Sequence, residues 1–214
     1  MPNDKERASQ QVIALNNIRE DISSMDNSYF VCGFEAAIPE DYFKNKEDIS
    51  KPEIDLIAVN IEKKEILLIE HKCQYGALLG KGKNIAKHCE DYLTILDDET
   101  LCNDIKTQMP NVYGLMRKIY MDGKNEESEL ELEFKEFEIK IAFLITKQPC
   151  KDKNNGEGNI TPDGLKTAKD KLDGCIQDEL KKHIKCLICD KPENCRLENW
   201  KNFDEWDEME KKES

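Results

Sequence analysis

A chain of 214 residues with 38% hydrophobic and 36% charged residues is long enough for one domain with a real core and a densely ionic surface. Its formal net charge of −13 argues against a protein that coats nucleic acid by neutralising phosphates, but leaves room for a locally basic site. No apolar run approaches the roughly 20 residues of a membrane span, and the start, Met1-Pro2-Asn3-Asp4-Lys5-Glu6-Arg7, lacks the apolar stretch of a signal peptide, so a cytoplasmic protein with no membrane partner is expected.

In chain order, residues 4–22 carry Val12, Leu15, Ile18 and Ile22 at the spacing of one helical face, which predicts an amphipathic helix. Residues 28–38 are aromatic and β-branched enough for a strand that Pro39 ends, and 40–52 form a charged connection containing Pro52. Two short apolar runs follow, 54–60 and 65–73, joined by the polar turn Glu62-Lys63-Lys64; they predict a hairpin covered on both faces. Beyond Gly76, Gly80 and Gly82 comes a helix over 83–97, then a second within 103–120, started or broken near Pro110. The acidic stretch 124–138 reads as a charged surface element, and 137–146 as a strand. A polar loop over 151–161 leads to Thr161-Pro162-Asp163, a helix start, with the helix running towards His183. The mostly acidic tail after Phe203 reads as frayed. This order predicts the α/β class, a central mixed β-sheet flanked by helices. The expected division is a core over 1–150, a C-terminal helix and cysteine-containing segment packed on it over 151–202, and an acidic tail over 203–214.

A Glu-x-Lys triplet means little in so charged a chain; the one at 70–72 is set apart by its context. Glu70 and Lys72 close an apolar strand, and the two-residue period puts both on one face. Asp55 sits in the preceding apolar strand, its hairpin partner. Ionised groups at the ends of buried strands are costly unless paired. A divalent cation held by Asp55 and Glu70 would pair them, and such hard oxygen ligands suit magnesium or manganese. Lys72 beside that metal can position an attacking water or help deprotonate it, while the metal polarises a phosphodiester. The plainer reading of the same residues is a strand-end salt bridge.

From His71 to Cys89 there is no Asp or Glu, although the chain holds 45 of them. The same stretch contains Lys72, Lys81, Lys83 and Lys87 with three glycines that allow close backbone approach, as a phosphate-tracking segment would. In the following helix His88 and Tyr92 stand four apart on one face, placed to contact DNA or the scissile phosphate, or to form a half-buried pair.

Asp55, fourteen intervening residues, then Glu70-His71-Lys72 resembles the signature of the PD-(D/E)xK nuclease superfamily. That family's core of a helix, three antiparallel strands, a helix and a further strand matches the predicted order over 4–146. The resemblance implies a restriction-endonuclease-like fold and magnesium-dependent hydrolysis of DNA by an endonuclease or exonuclease. It also implies Asp55 and Glu70 as metal ligands, Lys72 as the catalytic lysine, and the His71 backbone carbonyl as a further ligand. Ile54 stands where the signature has proline, a departure the family tolerates. Glu20 and Glu35 are the upstream acidic candidates for completing the site. His88 and Tyr92 partly match the Gln-x-x-x-Tyr of the exonuclease-like branch, with His88 in place of glutamine.

Cys186-x-x-Cys189 and, five residues on, Cys195 lie just after His183, a spacing that can bind zinc if His183 or Cys175 adds a fourth ligand. Some members of the exonuclease-like branch hold an iron–sulfur cluster on one early cysteine and a late Cys-x2-Cys-x5-Cys, which would make Cys32 the early ligand. The histidine that branch carries next is absent between Cys32 and Asp55. Buried structural thiols account for the same residues, since Leu187 and Ile188 suit a buried strand or helix end. The expected function is therefore a metal-dependent nuclease acting on DNA. Its rivals are a catalytically silent nucleic-acid-binding or scaffolding module of the same fold, with a protein partner supplying basic surface, and a small metal-binding interaction protein organised by the late cysteines.

Overall fold

The computed structural model describes residues 4–18, 29–38, 53–73, 75–80, 84–120, 134–147 and 160–207. The protein is α/β, built on one six-stranded mixed sheet in the order β1-β2-β3-β4-β5-β6. Strands β1 (Phe30–Ala37), β2 (Glu53–Asn60) and β3 (Glu65–Lys72) form an antiparallel meander. Strands β4 (Glu138–Thr146) and β5 (Ile184–Cys189) add in parallel, and the two-residue β6 (Lys201–Asn202) closes the far edge antiparallel. Parallel neighbours need a crossover. Helices α2 (Tyr75–Leu79), α3 (Ile85–Leu96) and α4 (Glu99–Tyr120) lie between β3 and β4, and α5 (Pro162–Asp173) between β4 and β5.

The continuous apolar runs of β2 and β3 follow from burial on both faces. Ile66 and Leu68 point into a core shared with Tyr92, Ile95, Tyr113 and Leu165 of α3, α4 and α5. Leu67 and Ile69 point the other way, against Ile13 and Ala14 of α1 (Asp4–Ile18) and the turns carrying Leu197 and Trp200. The β2–β3 turn closes through the Asn60 side chain, which accepts the Lys63 N–H at 2.8 Å, and through Lys64 at φ 51°.

Edge strand β1 is irregular. Its register shifts between Val31 and Gly33, and Glu35 takes φ 43°. Phe34 then packs on the α1 side while Ala36 packs on the opposite side, so the strand's alternation is offset at Glu35. A bulged, kinked edge is a poor template for pairing with another chain.

Several elements differ from the sequence expectation, α1 first: Val12 and Leu15 of its expected apolar face are exposed, and Ile13 and Ala14 are buried instead. The helix from Thr161 does not reach His183: Thr161 Oγ1 caps its start by accepting the Gly164 N–H at 3.1 Å, it ends at Asp173, and a 3-10 turn over Asp178–His183 feeds β5. Helix α4 begins earlier than expected, at Glu99, where Asp98 Oδ1 accepts the Leu101 N–H at 3.0 Å, and it runs on through Pro110. The segment 160–207 places two strands in the same sheet as the hairpin. Residues 203–207 are packed, because Phe203 and Trp206 are buried in the helix-side core. The acidic stretch 124–133 and most of the 151–161 loop lie outside the described residues. Among the described residues no helix is long and apolar enough to cross a membrane.

Candidate active site

The hairpin register that pairs Leu56 with Ile69 brings Asp55 across from Glu70. Both side chains, with Lys72 two residues on, leave the sheet on the face that α3 covers. Asp55 is half-buried, and its Oδ2 accepts the backbone N–H of His71 at 2.8 Å, which ties β2 to the end of β3. Glu70 and Lys72 are buried and form an ion pair through Glu70 Oε1.

Helix α3 completes the surroundings of Glu70. Asn84 caps the helix, its Oδ1 accepting the N–H groups of Ala86 and Lys87, each at 3.1 Å. One and two turns on, His88 Nδ1 lies 3.1 Å from Glu70 Oε1 and the Tyr92 hydroxyl donates to Glu70 Oε2 at 2.9 Å. The two residues four apart therefore grip the same carboxylate. Lys72 and His88 stand beside Oε1 at ion-pair distance without an aligned hydrogen bond, so lone-pair capacity remains on that oxygen among the described residues.

The electrostatics favour an ionised carboxylate. Burial alone would push the Glu70 carboxyl up; the His88 contact and the Lys72 charge outweigh it and hold the group below its ordinary range. Tyr92 is held well above the ordinary tyrosine range, by burial first and then by the Glu70 and Asp55 charges, so its hydroxyl stays a donor. The His71 ring lies on the opposite side of β3 from Glu70, fully buried, with Nε2 3.1 Å from Thr146 Oγ1. Burial and the neighbouring Lys72 charge press that ring down to about 3, so it is neutral and takes no charge into the site.

The structure thus brings together Asp55, Glu70, Lys72, His88 and Tyr92, with His71 contributing its backbone. Lys87 is not a free cation: it lies 3.4 Å from Glu90 and 3.5 Å from Asp91, one turn along the same helix. Lys81, Lys83 and Glu20 lie outside the described residues. Glu35 is not part of the site, since the left-handed backbone turns its carboxylate towards Arg7 of α1, with which it pairs. Sequence reasoning passed over Thr146, which anchors the His71 ring, and Asn84, whose position just before the helix is an N-cap signal.

The cysteine quartet is not assembled. Cys186 and Cys189 both lie on β5, and an odd separation on a strand sends two side chains to opposite faces. Cys186 accordingly packs in the helix-side core and Cys189, with Cys195, in the α1-side core. Cys32 lies on β1, four strands from β5, which is about 19 Å at the usual strand spacing. His183 is also turned away, its Nδ1 2.8 Å from Glu138. Cys32, Cys186, Cys189 and Cys195 therefore do not hold one iron or zinc centre; they are free buried thiols.

Among the described residues no group of three or more His, Cys, Asp or Glu side chains is arranged to hold a metal by itself. Two adjacent carboxylates still fit magnesium, which keeps several waters and is commonly bound by one or two carboxylates together with substrate phosphates. The unaligned Oε1 of Glu70 is the oxygen with capacity for it. No family model matches the chain, and neither a curated protein nor a solved structure matches it.

Proposed function

We propose that the protein is a metal-dependent nuclease with a restriction-endonuclease-like core, acting on DNA through Asp55, Glu70 and Lys72. The observation that carries this reading is the convergence of two strand-borne carboxylates and a buried lysine on one face of a hairpin, with the Tyr92 hydroxyl of α3 donating to Glu70 and His88 beside it. The element order of α1, the β1–β3 meander, α3 and the parallel β4 agrees with that core.

Asp55 and Glu70 would hold magnesium or manganese, with the His71 carbonyl as a third oxygen ligand; the bound ion supplies Lewis-acid polarisation of the phosphodiester. The chain's own residues do the rest. The His71 N–H fixes Asp55, and Tyr92 with His88 fixes Glu70, so neither carboxylate needs to reorganise when substrate arrives. Lys72 directs an ammonium group to the same place, where it can orient the attacking water and stabilise charge growing on the phosphoryl oxygens.

A second reading has one specific observation in its favour. Lys72 and Glu70 form a buried ion pair, as in a structural salt bridge, and a charge of −13 suits a scaffold whose basic partner is another protein. Cleavage of single- and double-stranded DNA in magnesium or manganese, compared with Asp55→Ala, separates the two readings. The nuclease reading expects cleavage that needs the metal and vanishes in the variant. Absence of cleavage on all substrates, or equal cleavage by both proteins, favours the silent module.

A further inference from the structure

We propose that Cys189 and Cys195 form a reversible disulfide, closed by peroxide and reopened by a dithiol. Cys189 ends β5, and its side chain leaves on the α1 side, opposite to Cys186. The chain then doubles back through a 3-10 turn over Pro192–Asn194. There the Asn194 N–H donates to the Lys191 carbonyl at 3.0 Å and the Cys195 N–H to that of Pro192 at 3.2 Å. This return lays the Cys195 thiol against the thiol of Cys189, with its Sγ 3.6 Å from the Lys191 carbonyl. A disulfide needs a backbone that brings two sulfurs together, and this turn supplies it. Both ends of the turn are anchored. The Lys147 N–H donates to the Cys189 carbonyl at 2.8 Å. Asn17 of α1 donates through Nδ2 to the Cys195 carbonyl at 3.1 Å and accepts the Leu197 N–H at 2.9 Å. Holding two groups in contact makes their bond formation effectively unimolecular.

The two thiols differ in access, which assigns their roles. Cys189 is 7% exposed and lines a cleft of about 510 Å³ with Asp190 and Asn194, so a small oxidant can reach it from solvent. Cys195 has no exposed surface. Its contact with Cys189, and then burial, hold its thiol well above the ordinary range, so it keeps its proton and does not attack first. The Cys189 thiolate attacks one oxygen of hydrogen peroxide. The O–O bond breaks, the other oxygen leaves as water once protonated, and Cys189 becomes a sulfenic acid. The Cys195 sulfur then attacks the Cys189 sulfur. An S–S bond forms, the S–O bond breaks, and the Cys195 proton leaves with the hydroxyl as a second water. Two thiols have lost two electrons to one peroxide, and a small dithiol reverses the bond by exchange. The closed form ties the end of β5 to the segment that carries Leu197 and Trp200 into the α1-side core.

The test treats the folded full-length protein with hydrogen peroxide, labels the remaining thiols with N-ethylmaleimide in denaturant, and maps the peptide from Cys186 to Arg196 by mass spectrometry. That peptide holds Cys186, Cys189 and Cys195, so it reports every pairing among them. The expected product carries a Cys189–Cys195 bond and one maleimide, on Cys186, and dithiothreitol before labelling restores all three labels. Cys195→Ser is expected to stop at a sulfenic acid on Cys189, trapped by dimedone. Cys189→Ser is expected to leave Cys195 unmodified, with circular dichroism to show that both variants are folded. The wild-type map decides alone should a variant fail to fold. Oxidation in denaturant is expected to give mixed pairings, because the sheet no longer holds Cys186 on the opposite face. Three maleimides on the peptide after peroxide, a disulfide to Cys186 in the folded protein, or dimedone on Cys195 in place of Cys189 overturns the proposal.

Discussion

Glu70 keeps its charge inside the core because Lys72, His88 and Tyr92 converge on it. Taking a carboxylate out of water costs several kcal/mol, and removing one partner leaves most of that cost uncompensated. Tyr92→Phe removes only the donor to Oε2 and preserves the ring's packing. It is expected to lower stability by about 1.5–3 kcal/mol, the range for a hydrogen bond to a charged group, and to slow cleavage under saturating metal. Denaturant melts and single-turnover rates check this; an unchanged rate beside lowered stability would make Tyr92 a purely structural support. At this scale the sequence was informative where backbone geometry is regular. Two-residue alternation brought Glu70 and Lys72 to one face, and four-residue spacing aligned His88 with Tyr92. Glu35 was ambiguous because nothing in its neighbours encodes a φ of 43°, and that dihedral decides which face its carboxylate joins.

Helix α3 is the element on which the site depends, since it carries two of the three groups that grip Glu70. Its first turn rests on Asn84, which also donates through Nδ2 to the Gly80 carbonyl at 3.1 Å. A side chain at Gly80 would bring a Cβ to 2.2 Å from the Gly76 carbonyl, so glycine is required for that approach to the helix. Asn84→Ala is expected to cost about 1 kcal/mol and to reduce cleavage more than stability alone predicts, because fraying moves His88 first. Thermal melts beside rates measured well below the transition check this. The hairpin and α3 were legible as apolar runs and helical spacing. Strand β5 was not, because Ile184–Cys189 is a short run, apolar except for Lys185, that suits a buried strand or a helix end equally, and the preceding helix signals ran straight into it. The cysteines shared that ambiguity: Cys186-x-x-Cys189 resembles a metal motif until the segment is known to be a strand, whose period separates the two thiols.

Across the whole molecule a second buried ionic group joins four parts of the chain at the opposite end of β3 from Lys72. Glu65 of β3 meets Lys140 of β4 at 2.8 Å and Lys185 of β5 at 2.9 Å, and accepts a hydrogen bond from Tyr29 ahead of β1. Burial would raise its carboxyl, but the contacts from Lys140, Tyr29 and Lys185 prevail and hold it at about 2. A carboxyl lowered in the folded state stabilises fully above its unfolded value of 4.5, and that contribution fades as pH falls towards 2. Wild type is therefore expected to lose on the order of 2 kcal/mol more than Glu65→Gln across that window, allowing for partial water contact. Equal slopes in pH-dependent melts would show that the cluster is not coupled to folding. The α/β class was legible at this scale from the alternation of strands and helices. The full sheet was not, because Phe203 and Trp206 lie in an acidic segment whose charge conceals two buried aromatic anchors.

The central claim, a catalytic centre of Asp55, Glu70 and Lys72, is tested most directly by metal-dependent DNA cleavage in Lys72→Met, with folding and manganese binding measured on the same sample. Wild type is expected to cleave. The variant is expected to remain folded and to bind manganese, because both carboxylate ligands remain, yet to lose cleavage by at least about a hundredfold, as expected for removal of a positioned charge. Cleavage by the variant at the wild-type rate, or none by wild type on any DNA, would contradict the account and leave Glu70–Lys72 as a structural ion pair.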